Sequence, residues 1–334
     1  RQKLLGRGRR WLGNDGHAPH VQAVGDCGFL NMKAGSTVLR PTRRHLLQTG
    51  IATGLSLMPG FQGRTARAAP SHPLVVLDFA HAQSLLALGI ETFGMAERWR
   101  YARYVEEPRL PASVFDIGTL NQPNLELLAS VQPQRIIHSQ EWPSDTDQLA
   151  RIASLTELSI YTGTPAPLDR ARQSFLQIAE IADVTQRAAD YMAGFEDHMH
   201  AHRSRLKPFE GKRVMVLWAA TPRDFWTLGT ASLVHNVQEH LGLRNAVRES
   251  GDTWGWLPVT MRDLGALADT IVIHFGPVPA PLSNNPLWNS FGFVRRRQLV
   301  VLPRSWLFGG LPEADRIARL LTQGLEERHH LSAT

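Results

Sequence analysis

The side chains of this sequence best placed to do chemistry are aromatic. Trp99, Tyr101, Tyr104, Trp142, Trp226, Trp254, Trp256, Trp306 and Phe308 fall near the ends of predicted strands or in loops, not at core-facing helix positions. Rings so placed offer π faces and apolar edges to a bound molecule and make no covalent bond. Taken singly, each reads equally well as a half-buried packing residue. Their recurrence in both halves of the chain points to an aromatic cleft.

Bond-making constellations are missing from the sequence pattern. There is no P-loop, dinucleotide glycine fingerprint, HExxH pair or GxSxG elbow. No nucleophile has a base at recognisable spacing, so catalysis is not expected, although spacing says nothing about a site assembled in three dimensions. His198 and His202 share one face of a predicted helix with His200 between them. Without an acidic or Cys partner nearby they read as a solvated face, not a metal site. The Arg295-Arg296-Arg297 run precedes a strand and reads as an exposed turn.

Alternating βα units must position the aromatics. Apolar runs at 74–78, 114–118, 135–139 and 157–161 predict strands, with helices such as 82–89 and 124–131 between them. A second set of strands is expected at 213–220, 225–229, 270–276 and 298–303, with helices near 231–241 and 312–327. Between the sets lie helical stretches at 168–182 and 185–206. The second carries Ala189, Met192, Phe195, Met199 and Leu206 close to helical spacing, with Thr185 as candidate N-cap. The expectation is an α/β protein of two lobes, 69–184 and 207–334, joined by one long helix at 185–206. A cleft between lobes is a favoured small-molecule site.

Charge separates these lobes from what precedes them. The 334 residues carry 36 Lys/Arg, 30 Asp/Glu and a formal charge of +6, but residues 1–68 alone contribute +9 and the remainder −3. Beyond Ala68 the only lysines are Lys207 and Lys212, and the single cysteine, Cys27, lies before it. A phosphate-tracking surface is therefore not expected, nor is a thiolate metal site or disulfide. Residues 1–31 lack apolar periodicity, and Met32 is a candidate initiator. A basic stretch ending in Arg43-Arg44-His45-Leu46-Leu47, a short apolar run over 50–58 and Ala66-Arg67-Ala68 follow in the order of an export signal. The arginine pair resembles the twin-arginine signal. The expectation for 1–68 is a leader cleaved after Ala68, with a periplasmic destination.

Several segments, in order, resemble the periplasmic ferric-hydroxamate-binding proteins of the ferrichrome uptake system. They are LLALGI (85–90), YARYVEEPRLPASVFDIG (101–118), PNLELL (123–128), LARIA (149–153), TPRDFWTLG (221–229), TWGW (253–256), NPLW (285–288) and PRSWLFGG (303–310). The resemblance covers about 73–328. It implies a class III periplasmic binding protein, with the ligand cleft between two α/β lobes, that delivers a ferric siderophore to an inner-membrane ABC permease and its ATPase. It further implies a monomer, no catalysis, no nucleic-acid partner and no cofactor beyond the iron that the siderophore itself holds.

Position by position, the resemblance places the pocket's aromatic lining on Phe79, Tyr104, Trp254 and Trp306. Phe308 stands where the family has a tyrosine, and Phe225 or Trp226 approaches from the second lobe. Two family donors to the hydroxamate oxygens fall on Leu120 and Trp142, and His138 replaces a further family aromatic. A leucine cannot donate a hydrogen bond, so Arg98, Arg100, Arg103 and Arg223 are candidate replacements. The carboxylates that would dock on the permease fall on Asp147 and Asp263, which at helix starts also read as caps. A haem or corrinoid carrier on the same scaffold, a metal-ion binder using His198 and His202, and a siderophore esterase are the competing readings.

Overall fold

The structure is a computed structural model and describes residues 73–333, apart from Phe93 and Ala220. The leader expectations lie outside the described residues.

The first sheet is entirely parallel. Its central strand β1 (Leu74–Val76) enters helix α1 (Phe79–Ala87) through a single turn, in which the Asp78 carboxylate accepts from the His81 amide at 3.0 Å. That cap starts α1 three residues earlier than apolar spacing alone predicts, and it sets Phe79 at the first helical position. After β2 (Gly94–Met95) come α2 (Arg98–Tyr104), β3 (Phe115–Asp116), α3 (Leu125–Val131), β4 (Arg135–His138), α4 (Thr146–Ala150) and β5 (Ser154–Glu157). The strand order is β3-β2-β1-β4-β5. The strand expected at 157–161 pairs earlier, at 154–157. The apolar run follows the strand, and its Leu158, Ile160 and Tyr161 turn into the interior.

Helices α5 (Pro167–Ile181) and α6 (Thr185–Arg205) follow. On α6 the buried side chains are Ala188, Phe195 and Met199; Ala189, expected on that face, is exposed. Thr185 is the first helical residue and makes no cap, the N-cap being Val184.

The second sheet is mixed. Its strands are β6 (Arg213–Ala219), β7 (Phe225–Leu228), β8 (Arg244–Asn245), β9 (Trp256–Val259), β10 (Ile271–Phe275) and β11 (Leu299–Leu302), with α7 (Leu233–His240) before β8 and α8 (Met261–Gly265) after β9. The order is β11-β10-β6-β7-β9; β7 is antiparallel to both neighbours, and β8 adds to β6. Short helices α9 (Ala280–Ser283), α10 (Pro286–Ser290) and α11 (Gly292–Arg295) precede β11, and α12 (Leu311–Ala333) ends the chain. Arg296, just past α11, pairs with Asp269, and Arg297 takes a left-handed conformation at φ 55°, so the arginine run is a surface turn.

Two local cores fill the outer faces of the sheets, one around Ile117, Leu128 and Ile136, the other around Phe225, Val272, Trp288 and Phe293. The largest core belongs to neither lobe alone. It runs from Val76, Leu85 and Phe175 of the first lobe through Phe195 of α6 to Val234, Ile273 and Leu321 of the second. Helix α12 packs against α1, α5, α6 and α7, strapping the lobes together. Ion pairs reinforce the strap: Arg316 reaches Glu106 at 2.8 Å and Arg319 reaches Glu107 at 2.5 Å.

Candidate functional site

The loops that leave the strand ends meet between the lobes. From the first lobe come the β1–α1 turn, the loop after β4 and the segment after β5; from the second come the TWGW turn and the loop between β11 and α12. They line a shallow pocket whose free space, about 310 Å³, runs into open solvent. Ligands of open α/β sheets characteristically sit at such strand ends.

Six of its lining residues form one connected chain of rings. Phe79 lies 5.2 Å from Trp306, Trp306 5.3 Å from Phe308, Phe308 5.2 Å from Trp254, and Trp254 4.9 Å from Trp142, all centroid to centroid. Tyr161 closes the ring system at 5.0 Å from Trp254. Such pairs prefer offset and edge-to-face packing, so each ring fixes the tilt of the next.

Backbone chemistry explains the placement. In the TWGW turn Gly255 adopts φ +85°, and a Cβ there would come within 2.7 Å of the Ser232 amide nitrogen. The Asp252 carboxylate accepts from the amides of Trp254 and Trp256 at 2.9 and 2.8 Å, which fixes the direction of both indoles. In the β11–α12 loop a Cβ on Gly309 would lie 2.2 Å from that of Glu313, so only glycine lets the Trp306–Phe308 segment pack on the helix. The Tyr161 hydroxyl donates to the Gly309 carbonyl at 2.7 Å, tying the lobes together beside the pocket.

Five of the expected residues, Phe79, Trp142, Trp254, Trp306 and Phe308, line this pocket together, and Tyr104 adjoins it 6.0 Å from Trp306. Others are elsewhere. Phe225 is 1% exposed and stacks on Trp288 at 6.1 Å inside the second-lobe core, so its expected approach to the ligand is corrected. Trp226, its neighbour on β7, points to the opposite face and is half-buried outside the lining. His138 is buried on β4 behind the lining, and burial holds its pKa below the ordinary value, with the Glu157 charge opposing.

The candidate arginines do not reach the pocket. Arg103 is exposed, with its guanidinium 5.7 Å from the Tyr104 ring, and Arg223 lies on the exposed β6–β7 turn. Arg98 is half-buried and outside the lining, while Arg100 is buried in an ion pair with Glu97 at 2.5 Å. Leu120 lines the wall as an apolar residue. Asp147 is exposed in the first turn of α4, where Asp145 provides the cap; Asp263 is exposed and completes a capping box with Thr260 on α8. His198 contacts Asp315 at 3.2 Å on the surface, and among the described residues no three His, Cys, Asp or Glu gather as a metal site.

Sequence reasoning missed Tyr161, with Ala80 and Ile160, and a polar group. Asp78, His81, Ser139 and Glu141 form one pole of the pocket. The available signal was the Asp78-x-x-His81 spacing at a strand-to-helix junction, which reads first as an ordinary cap.

The sequence profile described as "Periplasmic binding protein" matches residues 74–305. The Iron(3+)-hydroxamate-binding protein FhuD of Escherichia coli K12 is 30% identical over 291 residues, covering 85% of this chain and 96% of that protein. Among solved structures, the siderophore-binding protein FhuD of Vibrio cholerae with bound Fe3+-Desferal superposes with a TM-score of 0.73 at 24% identity, over 76% of this chain and 97% of that one. The periplasmic haem-binding protein HutB of the same species gives 0.59 at 21% identity, over 75% and 98%.

Proposed function

We propose that this chain, which belongs to the periplasmic binding protein family, captures a ferric siderophore of the hydroxamate class and hands it to an inner-membrane ABC permease driven by its ATPase. The observation that carries the reading is the continuous aromatic wall between the lobes, in a chain 30% identical to a ferric-hydroxamate-binding protein over most of both lengths. A siderophore holds its own iron and presents methylenes and carbonyl edges outward. What it asks of a receptor is a shaped apolar surface with a few polar contacts. In this reading the protein supplies no iron ligand and carries no cofactor of its own.

Export by the twin-arginine route, action as a monomer and docking through Asp147 and Asp263 belong to the same proposal. Among the described residues no helix is long and apolar enough to cross a membrane.

Titrating the protein with ferric trihydroxamates while following tryptophan emission tests the reading. Quenching that saturates at one equivalent is expected; no response to any hydroxamate complex would sink it. Haem is the second reading, favoured by the likeness in fold to HutB. A Soret band on the purified protein, with tight haem binding in place of siderophore binding, would put it first.

A further inference from the structure

The polar pole of the pocket holds two buried atoms whose hydrogen-bonding capacity the protein leaves unused. His81 is 1% exposed, and its Nδ1 is engaged by Asp78 Oδ2 in a short hydrogen bond, while its Nε2 has no protein partner. Glu141 turns one carboxylate oxygen to the amides of Ile160 and Tyr161, each at 2.5 Å, and its other oxygen, Oε2, is buried with no protein partner. Both residues line the same pocket, whose remaining wall is mostly rings and aliphatic groups. Buried polar atoms are nearly always satisfied, and leaving one unpaired is costly. Two of them on one pocket wall, one a donor when the imidazole is charged and the other an acceptor, describe the ligand group that would complete them.

We propose that His81 Nε2 and Glu141 Oε2 read the ligand together: His81 donates to a hydroxamate or carbonyl oxygen, and Glu141 accepts from an N–H, ammonium or hydroxyl on the same molecule. His81 then supplies the donor that Leu120 cannot. The pair also sets the charge of the cargo. The lining sets two carboxylates, Asp78 and Glu141, against one imidazole, His81, with no lysine or arginine, so even with His81 charged it carries no net positive charge: a neutral or cationic ferric complex is admitted and a trianionic one disfavoured. This inference rests on the siderophore reading.

The surroundings favour the charged imidazole. Burial works against the charge, but the Asp78 charge and hydrogen bond, helped by the Glu141 charge, outweigh it and raise the His81 pKa above its ordinary value. From β4, His138 is held towards its neutral form by burial, and from the segment after β5 the Tyr161 hydroxyl is committed to Gly309. Burial raises the Glu141 carboxyl, against the amide hydrogen bonds that lower it.

The test uses the full chain and three ferric probes: ferric Desferal, whose free amine is protonated at neutral pH, its N-acetylated neutral counterpart, and a trianionic ferric tris-catecholate. The expected order is Desferal tightest, the acetylated form about tenfold weaker, corresponding to about 1.4 kcal/mol, and the tris-catecholate weaker than both. His81→Phe should weaken both hydroxamates roughly tenfold and flatten the wild-type pH profile, in which affinity falls as the pH rises through the His81 pKa. Glu141→Gln should collapse the ratio between Desferal and its acetylated form. If a variant fails to fold by circular dichroism, the probe order and pH profile of the wild type still decide. A wild type that prefers the tris-catecholate, or variants that keep its affinities and ratios, overturns the inference alone. Failure to bind any of the three overturns the siderophore reading and the inference with it.

Discussion

Trp254 and Trp288 separate ligand contact from packing at the level of single residues. Trp254 sits in the ring chain, within 5.2 Å of three other aromatics, whereas Trp288 is 1% exposed among Phe225, Phe291 and Phe293. Trp254→Ala should weaken siderophore binding by about 1–3 kcal/mol, read by titration of the folded protein, and should also lower the melting temperature because the ring is only 7% exposed. Trp288→Ala should cost about 3–5 kcal/mol of stability in urea unfolding, and the folded fraction should bind normally. Adjacent residues on β7 show where the sequence stops being legible. Phe225 and Trp226 are equally aromatic and equally near a strand start, yet the pleat sends one into the core and the other out, and only the register against β6 decides which. The polar pole was hidden for a related reason: Asp78 is a genuine N-cap, and its second contact, to the His81 ring, has no signature beyond the same spacing.

Among the elements, the strands that were legible are the apolar runs β1, β4, β6 and β10, largely buried on both faces, with β7 and with β11, where Val301 is exposed. Strands β2 and β8 are two residues each, too short to show a period, and exist because neighbouring strands pair with them, while β3 is the two-residue part of the run expected at 114–118 that pairs. Helix starts carry the next prediction. Asp263 holds the α8 capping box, accepting from the Thr260 amide at 2.9 Å, while α4 is capped by Asp145 and not by Asp147. Asp263→Ala should therefore lower stability by about 0.5–1 kcal/mol in thermal unfolding, and Asp147→Ala should leave it within about 0.5 kcal/mol. If both carboxylates dock on the permease, each variant should cut siderophore-dependent iron uptake in cells while leaving affinity in solution intact.

For the whole molecule, the interface between the lobes sets the pH response. Glu313, at the start of α12, is buried against Gln83 of α1 and Ser305, and burial pushes its pKa up to about 7 against the hydrogen bonds of Ser305 and Gln83 and the Arg316 charge. An acid whose pKa is raised by folding contributes most stability when protonated in both states. That contribution falls as the pH climbs from the ordinary carboxylate range to about 7, and is flat above. Urea unfolding should show a loss of up to about 3 kcal/mol across that window, and Glu313→Gln should remove this part of the slope. The core shared by both lobes also opposes wide opening, so the radius of gyration in solution scattering should not change measurably when ligand binds.

The shared ring chain gives the lobes an optical signature of their separation. Trp142 belongs to the first lobe and Trp254 to the second, with ring centroids 4.9 Å apart and planes inclined at 49°. Indoles so close and so tilted couple their electronic transitions, and coupled transitions split into paired positive and negative bands in circular dichroism. Trp142→Phe or Trp254→Phe should each remove the contribution of this pair and leave that of Trp218 and Trp256, 5.8 Å apart within the second lobe. A permease that prises the lobes apart to release the cargo would extinguish the contribution of Trp142 and Trp254 reversibly, so the step least accessible to crystallography could be followed without any attached label.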